Sequence, residues 1–147
     1  MYKRMLVPTD GSDLSFAAIQ TAARLAKSLG AEIIGINVMP KLGQLVFPDY
    51  GAYEMLTDAE FERETAEEAR TILAVVEEEA AQSNVPCQTV IKRDWDPFRA
   101  IIEAAHEYHC DLIVMASHGR RGVTGLLLGS ETNKVLTHCH IPVLVYR

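Results

Sequence analysis

Five short apolar runs, each separated from the next by a stretch of helical spacing, constrain this chain more than any other feature of it. The runs are Met5-Leu6-Val7, Ile33-Ile34-Gly35-Ile36-Asn37-Val38, Gln88-Thr89-Val90-Ile91, Leu112-Ile113-Val114-Met115 and Val143-Leu144-Val145-Tyr146. Short runs that alternate with helical patterns predict an α/β fold with a parallel sheet, because a parallel neighbour is reached only through a crossover, usually a helix. Right-handed crossovers and a sheet covered on both faces then point to a five-stranded, doubly wound sheet with helices on both faces, for which the expected order is 3-2-1-4-5. The third run has polar ends, which suits a sheet edge, and the fourth is the most uniformly apolar, which suits the centre. If strands one and four are central neighbours, their C-terminal ends bring Pro8-Thr9-Asp10-Gly11 beside Met115-Ala116-Ser117-His118. A ligand crevice is expected there, at the point where the strand order reverses.

The helices announce themselves by their ends. Ser12 is a natural N-cap, followed by Phe16, Ile19, Ala22, Ala23, Ala26 and Leu29 at helical spacing and by Gly30 as C′ residue. Thr57 and Glu60 form a capping box ahead of a long acidic helix. Its buried stripe is Phe61, Ala69, Ile72, Leu73, Val76 and Ala80, with Glu77-Glu78-Glu79 as a solvated face. Asp96 as N-cap and Pro97 at the first helical position open a third helix, with Phe98, Ile101, Ile102 and Ala105 inward. A glycine-rich segment from Ala116 to Gly129 leads into a short helix beginning near Ser130. Between Met39 and Leu56 the sequence holds Pro40, Gly43, Pro48 and Gly51 without a sustained period and reads as a long loop. No repeat or linker interrupts this order, and 147 residues fit one domain, 1–147.

Charge and cysteines narrow the function classes. A formal charge of −6 argues against a general nucleic-acid binder, whose affinity rests on clustered Lys and Arg; Arg120-Arg121 is the one local exception. Cys87, Cys110 and Cys139 are odd in number and lack a C-x-x-C spacing, so they read as reduced thiols. The N-terminal run is too short for a secretory signal, and no apolar stretch approaches the roughly 20 residues that span a bilayer. The expected location is the cytoplasm. His138-Cys139-His140 has metal-binding residue types, but adjacent side chains at a helix end diverge, and a cation near a helix C-terminus is the more ordinary role of His138.

Chemistry concentrates between strand four and the last helix. Gly119 and Gly129 would let backbone N–H groups approach a phosphate chain, and Gly129-Ser130 lies where a helix N-terminus offers free donors and partial positive charge. The Ser130 hydroxyl can donate to a phosphate or ligate Mg²⁺. The same glycines would also serve turn geometry alone, and spacing does not choose between the two. Arg120 and Arg121 leave a similar choice between a phosphate contact and solvent. His118 can touch phosphate or ribose, or cap backbone groups. Asp10 can serve a ligand or simply satisfy turn donors.

The segment resembles the ATP-binding loop of the universal stress protein family, G-x2-G-x9-G-[ST]. Gly119, nine intervening residues, Gly129 and Ser130 fit that spacing, while Ala116 stands where the family has its first glycine. Alanine there narrows backbone freedom and adds a methyl group. The likeness extends to Val7-Pro8-Thr9-Asp10-Gly11-Ser12 and to Ile141-Pro142-Val143-Leu144-Val145, essentially the whole chain. Trp95 stands where many relatives have glycine. The resemblance implies that Asp10 lies beside adenosine, that Val38 lines the adenine pocket, and that Gly119, Gly129 and Ser130 hold phosphates. The full set of candidate ATP contacts is Pro8, Thr9, Asp10, Val38, Met115, Ala116, His118, Gly119, Arg120, Gly129, Ser130, Glu131 and Thr132, with Ser130 on Mg²⁺.

Three function classes follow. The resemblance implies an ATP-binding stress-response regulator, and it agrees with the edge position expected of Val143 to Tyr146 in pointing to a homodimer through the C-terminal strand. A long-lived ATP complex would let the 39–56 loop order differently in the bound and empty states, giving an unidentified protein partner two surfaces to distinguish. An ATP-using enzyme is the second class. Enzymes of related fold that cleave ATP carry S-G-G-x-D-S after strand one, where this chain has Thr9-Asp10-Gly11-Ser12-Asp13-Leu14, and no G-x4-G-K-[ST] loop occurs. Turnover is therefore expected to be slow hydrolysis or autophosphorylation at most. In the helix's first turn, Glu131 is expected to complement the dipole rather than orient water. The third class is a nucleotide-free interaction module.

Overall fold

A computed structural model of the chain describes residues 1–41, 57–120 and 128–147. In chain order the elements are β1 (Arg4–Pro8), α1 (Asp13–Leu29), β2 (Glu32–Met39), α2 (Asp58–Gln82), β3 (Cys87–Arg93), α3 (Pro97–Glu107), β4 (Leu112–Ala116), α4 (Ser130–His138) and β5 (Val143–Tyr146). The strands form one parallel sheet of order β3-β2-β1-β4-β5, as the alternation predicts. β2 runs on through Met39, which pairs with Arg93. Residues 42–56 of the expected 39–56 loop lie outside the described residues.

Strand alternation divides the core into two layers. Met5, Val7, Ile33, Leu112 and Val114 face α1 and α2, where Ile19, Ala22, Ala23, Ala26, Leu73, Val76 and Ala80 meet them. Leu6, Ile34, Ile36, Ile113 and Met115 face the other way, toward Ile101, Ala104 and Ala105 of α3 and Val135 of α4. Burial of each large aliphatic side chain contributes about 1.5–3 kcal/mol, so both layers are strongly specified. The consequence for function lies at the sheet's upper rim. From β1 the chain winds outward to β2 and β3, then crosses over to β4 and β5, leaving the C-terminal ends of β1 and β4 side by side.

Local chemistry starts and stops the helices. Ser12 accepts from the Ser15 N–H at 3.3 Å, and Gly30 takes the left-handed conformation at φ 63°, its N–H reaching the Ala26 and Lys27 carbonyls. Thr57 and Glu60 form both halves of the capping box.

Two expectations need correction. Phe16 is 39% exposed, and Ala18 occupies the buried position on α1 instead; an apolar stripe has a width, and packing decides which of its margins is covered. Asp96 stands at the N-cap of α3 but makes no capping hydrogen bond. Its Oδ2 accepts from Arg99 Nη2 at 2.7 Å, and the Phe98 N–H donates instead to Glu131 Oε2, 2.9 Å away on α4. A neighbouring helix thus supplies the anion that the N-terminus of α3 favours. His138, the last residue of α4, places Nδ1 2.8 Å from the Lys134 carbonyl. Trp95 is 47% exposed at the start of α3.

Candidate switch-point site

Beyond Pro8, the last residue of β1, the chain turns under the control of its own side chains. The Thr9 N–H donates to the Ile36 carbonyl at 2.9 Å, and the Gly11 N–H donates to Thr9 Oγ1 at 3.2 Å. Buried Thr9 Oγ1 also lies 3.0 Å from Ser15 Oγ. The turn is held further by Asn37 of β2, whose Nδ2 donates to the Thr9 carbonyl at 2.8 Å. Asn37 is 3% exposed, and its Oδ1 is a buried side-chain atom with no hydrogen-bond partner among the described residues. Asn37 belongs to none of the motifs in the sequence, but a polar side chain inside a buried apolar strand is itself a signal of a structural role.

Asp10 bridges the two loops at the switch point. Its Oδ1 accepts from the Ser12 N–H at 3.0 Å, within its own turn, and its Oδ2 accepts from the Arg120 N–H at 2.6 Å, across the switch point. Burial alone would raise the Asp10 pKa. The hydrogen bonds from the Ser12 hydroxyl, the Arg120 and Ser12 N–H groups and the Ser15 hydroxyl together outweigh it, and the carboxyl titrates below its ordinary value of 3.8. The stabilisation from this ionised contact is therefore fully present above pH 3.8 and is lost as pH falls further, through the lowered folded value.

At Gly119 the two loops are in close contact. A Cβ built there would lie 2.3 Å from Asp10 Oδ2, so no other residue fits while the carboxylate keeps its place. Gly129 answers to a different neighbour. Its Cβ would lie 3.0 Å from the Ser117 carbonyl oxygen and 3.1 Å from His118 Cα, and its N–H donates to that same carbonyl at 2.8 Å. Both glycines thus make close approaches to other parts of the protein. Ser117, buried and unassigned in the sequence, is the hinge of this arrangement: its N–H donates to the Tyr146 carbonyl at 2.7 Å, and its Oγ lies 3.1 Å from His118 Nδ1.

Gly129 also leaves the N-terminus of α4 open. It brings no side chain to cap the helix, and the first intrahelical bond is Asn133 N–H to the Gly129 carbonyl at 3.0 Å. The N–H groups of Ser130, Glu131 and Thr132 therefore have no acceptor within the helix. Ser130 is exposed at this end.

The remaining candidates are distributed around this centre. Met115 is buried, and Val38 packs partly buried against the same α3–α4 layer. Ala116 ends β4 buried, and its carbonyl accepts from the buried Thr132 hydroxyl at 3.0 Å, which ties α4 to the sheet. Glu131 is engaged on both oxygens, by the Phe98 N–H and by Lys134 Nζ at 2.8 Å. Arg120 turns its side chain away from α4, with Nη1 3.1 Å from Glu68 Oε1 on α2. Arg121 lies outside the described residues.

An anion-ready helix end facing a carboxylate across a doubly wound switch point is common to many nucleotide-binding folds, and comparison with known families decides among them. The universal stress protein family model matches residues 1–147. The chain belongs to the universal stress protein family. It is 34% identical to universal stress protein MJ0531 of Methanocaldococcus jannaschii over 147 residues, covering 100% of this chain and 83% of the relative. It is 32% identical to universal stress protein YxiE of Bacillus subtilis, with 100% of each chain covered. Among solved structures, M. jannaschii MJ0577 superimposes with a TM-score of 0.83 at 25% identity, covering 99% of this universal stress protein and 96% of that chain. The same fold appears, at 24% identity and a TM-score of 0.69, in a universal stress protein solved in complex with cAMP, over 99% of this chain and 97% of that one. It appears again in one from Archaeoglobus fulgidus solved with dAMP, at 17% identity and a TM-score of 0.65, over 99% and 98%.

Proposed function

We propose that this universal stress protein is one domain, residues 1–147, that binds ATP with Mg²⁺ at the switch point and acts as a stress-response regulator. The observation that carries this reading is the convergence of the Asp10 turn, the Gly119–Arg120 backbone and the N-terminus of α4, which has no side-chain cap, at the switch point. Open N–H groups at a helix start suit phosphate oxygens. A carboxylate suits the hydroxyls of a ribose, and Val38 and Met115 offer the apolar wall an adenine needs. Strand alternation turns the Ala116 methyl to the face of Val114, the α1–α2 side, opposite the layer of α4, so it does not crowd that helix start. That cAMP and dAMP were found on proteins of this fold supports an adenine nucleotide as the ligand class.

The donor set fits Mg²⁺ as an ion carried mainly by the phosphates. Ser130, exposed at the helix start, offers its Oγ to the ion, and such ions usually keep several waters and bind through substrate phosphates. Bound Mg²⁺ would offset phosphate charge. Slow turnover follows from the engagement of Glu131, since fast phosphoryl transfer needs a residue free to orient the nucleophile. A regulator needs a partner that distinguishes bound from free protein, through a difference in affinity between the two states.

The test is direct. Heat-denatured, freshly purified protein should release an adenine nucleotide detectable by mass spectrometry, and calorimetric titration should give ATP binding in Mg²⁺. Asp10→Ala should weaken adenosine as well as ATP, by roughly tenfold, because its contact is assigned to the nucleoside; a charge-assisted hydrogen bond contributes about 1.5–3 kcal/mol. A protein that neither carries nor binds a nucleotide would be an interaction module, and unchanged adenosine affinity in the variant would remove Asp10 from the site.

We assign self-association to β5. It pairs with β4 and forms one edge of the sheet, with all four residues partly buried. Beside it runs an apolar groove lined by Tyr2, Leu25, Leu29, Pro142 and Leu144. An apolar edge strand readily pairs with its own copy about a two-fold axis. Light scattering should report twice the 16.3 kDa chain mass for the wild type and the single-chain mass for Val145→Lys. Equal masses would argue for another interface or for a monomer.

A further inference from the structure

We infer that Glu68 on α2 is a specificity-determining residue of this site, a carboxylate that competes with the ligand's phosphates for Arg120. The inference rests on the adenine-nucleotide reading above. Arg120 is held at both ends: its N–H donates to Asp10 at 2.6 Å, and its Nη1 donates to Glu68 Oε1 at 3.1 Å. Between these anchors the guanidinium crosses Gly11. A Cβ on that residue would stand 2.9 Å from Arg120 Nη2 and 3.1 Å from Ile72 Cγ1, so the bare Cα leaves the passage the side chain uses. Gly11 sits at φ +78°, where side chains are rarely tolerated.

The direction of this passage gives the pair its consequence. α2 packs with α1 on one face of the sheet, and α4 packs with α3 on the other. A guanidinium held by Glu68 is therefore drawn toward the layer opposite the open N-terminus of α4. Held on Glu68, the Arg120 guanidinium is directed away from phosphate at that helix end. The two side chains are 52% and 47% exposed, and ion pairs of that exposure are weak. A polyphosphate offers the guanidinium several oxygens and a larger charge than one carboxylate, with bidentate geometry available. The pair therefore yields to a highly charged nucleotide, while a neutral nucleoside leaves it in place. Glu68 weakens binding of every phosphorylated ligand and leaves adenosine untouched.

Calorimetric titration of ATP and of adenosine, in Mg²⁺, against the wild type, Glu68→Gln, Arg120→Gln and the double variant tests this. Glu68→Gln should tighten ATP two- to fivefold, the equivalent of removing a weak competing pair, with adenosine affinity unchanged. In the Arg120→Gln background the same substitution should leave ATP affinity unaltered. ATP affinity that is unchanged or lower in Glu68→Gln overturns the inference, as does an equal gain for adenosine or a full gain without Arg120. If the wild type binds no adenine nucleotide, the nucleotide reading fails and this inference with it. A wild type that binds ATP beside an indifferent Glu68→Gln overturns this inference alone.

Discussion

Gly119→Val is expected to abolish the contact between the two loops of the crevice and with it most nucleotide affinity. A Cβ at this position would fall 2.3 Å from Asp10 Oδ2, well inside any contact real atoms make. Either the carboxylate leaves or the Gly119–Arg120 backbone withdraws, and in both cases the Arg120 N–H loses its charged acceptor. Hydrogen bonds to charged groups contribute about 1.5–3 kcal/mol, and Arg120 is exposed, so about 1–2 kcal/mol of stability should be lost. ATP affinity should fall by at least about tenfold, since Asp10 and the loop backbone are displaced together. Gly119→Ala should reproduce most of this, because the Cβ alone makes the clash. Titration calorimetry beside thermal unfolding reads both effects. An alanine variant that melts and binds like the wild type would show that the Asp10–Arg120 contact does not organise the site.

The second large effect is expected at Gly129, and it is one of stability as much as of binding. A Cβ there would meet the Ser117 carbonyl oxygen at 3.0 Å and His118 Cα at 3.1 Å, both backbone atoms just beyond the end of β4. Backbone anchored by the Ser117 N–H to the Tyr146 carbonyl has little freedom to yield. Valine adds two methyl groups to that conflict, so the N-terminus of α4 must move and the 2.8 Å bond from Gly129 N–H to the Ser117 carbonyl is lost. Overpacking of this kind costs about 1–3 kcal/mol. For a chain of this size each kcal/mol lowers the melting temperature by about 2–4 °C. ATP affinity should fall in parallel, because the free N–H groups of α4 move with the helix. Ser130→Ala is the control: it removes one exposed hydroxyl, should leave the melting temperature unchanged, and should weaken ATP only modestly. A Gly129→Val protein with wild-type stability would mean that the loop packs differently from the arrangement described.

Features carried by neighbouring residues were legible in the sequence. The Thr57–Glu60 capping box, the Ser12 cap and the left-handed Gly30 involve partners three or four residues apart, so composition at fixed offsets was enough to find them. The strand order was legible for a related reason: short parallel strands joined by helices have few connections open to them. The glycines and Asp10 were visible as residues of interest. Their roles were not, because a glycine looks the same in sequence whether it makes room for a phosphate, a carboxylate or a carbonyl.

Tertiary structure decided the hydrogen bonds and ion pairs whose partners lie far apart in the chain. The cap of α3 is Glu131, 33 residues beyond Phe98, while the local candidate Asp96 pairs with Arg99. Asp10 meets Arg120 across 110 residues, and Arg120 meets Glu68 across 52. Asn37 steadies the turn after β1 only because β2 lies beside it. The physical reason is common to these cases. Periodicity, caps and turn residues express the preferences of a few adjacent peptide units, and these set which elements form and in what order they stack. A hydrogen bond between loops depends instead on where the packed layers carry each backbone, to within a few tenths of an ångström, and no local preference encodes that distance.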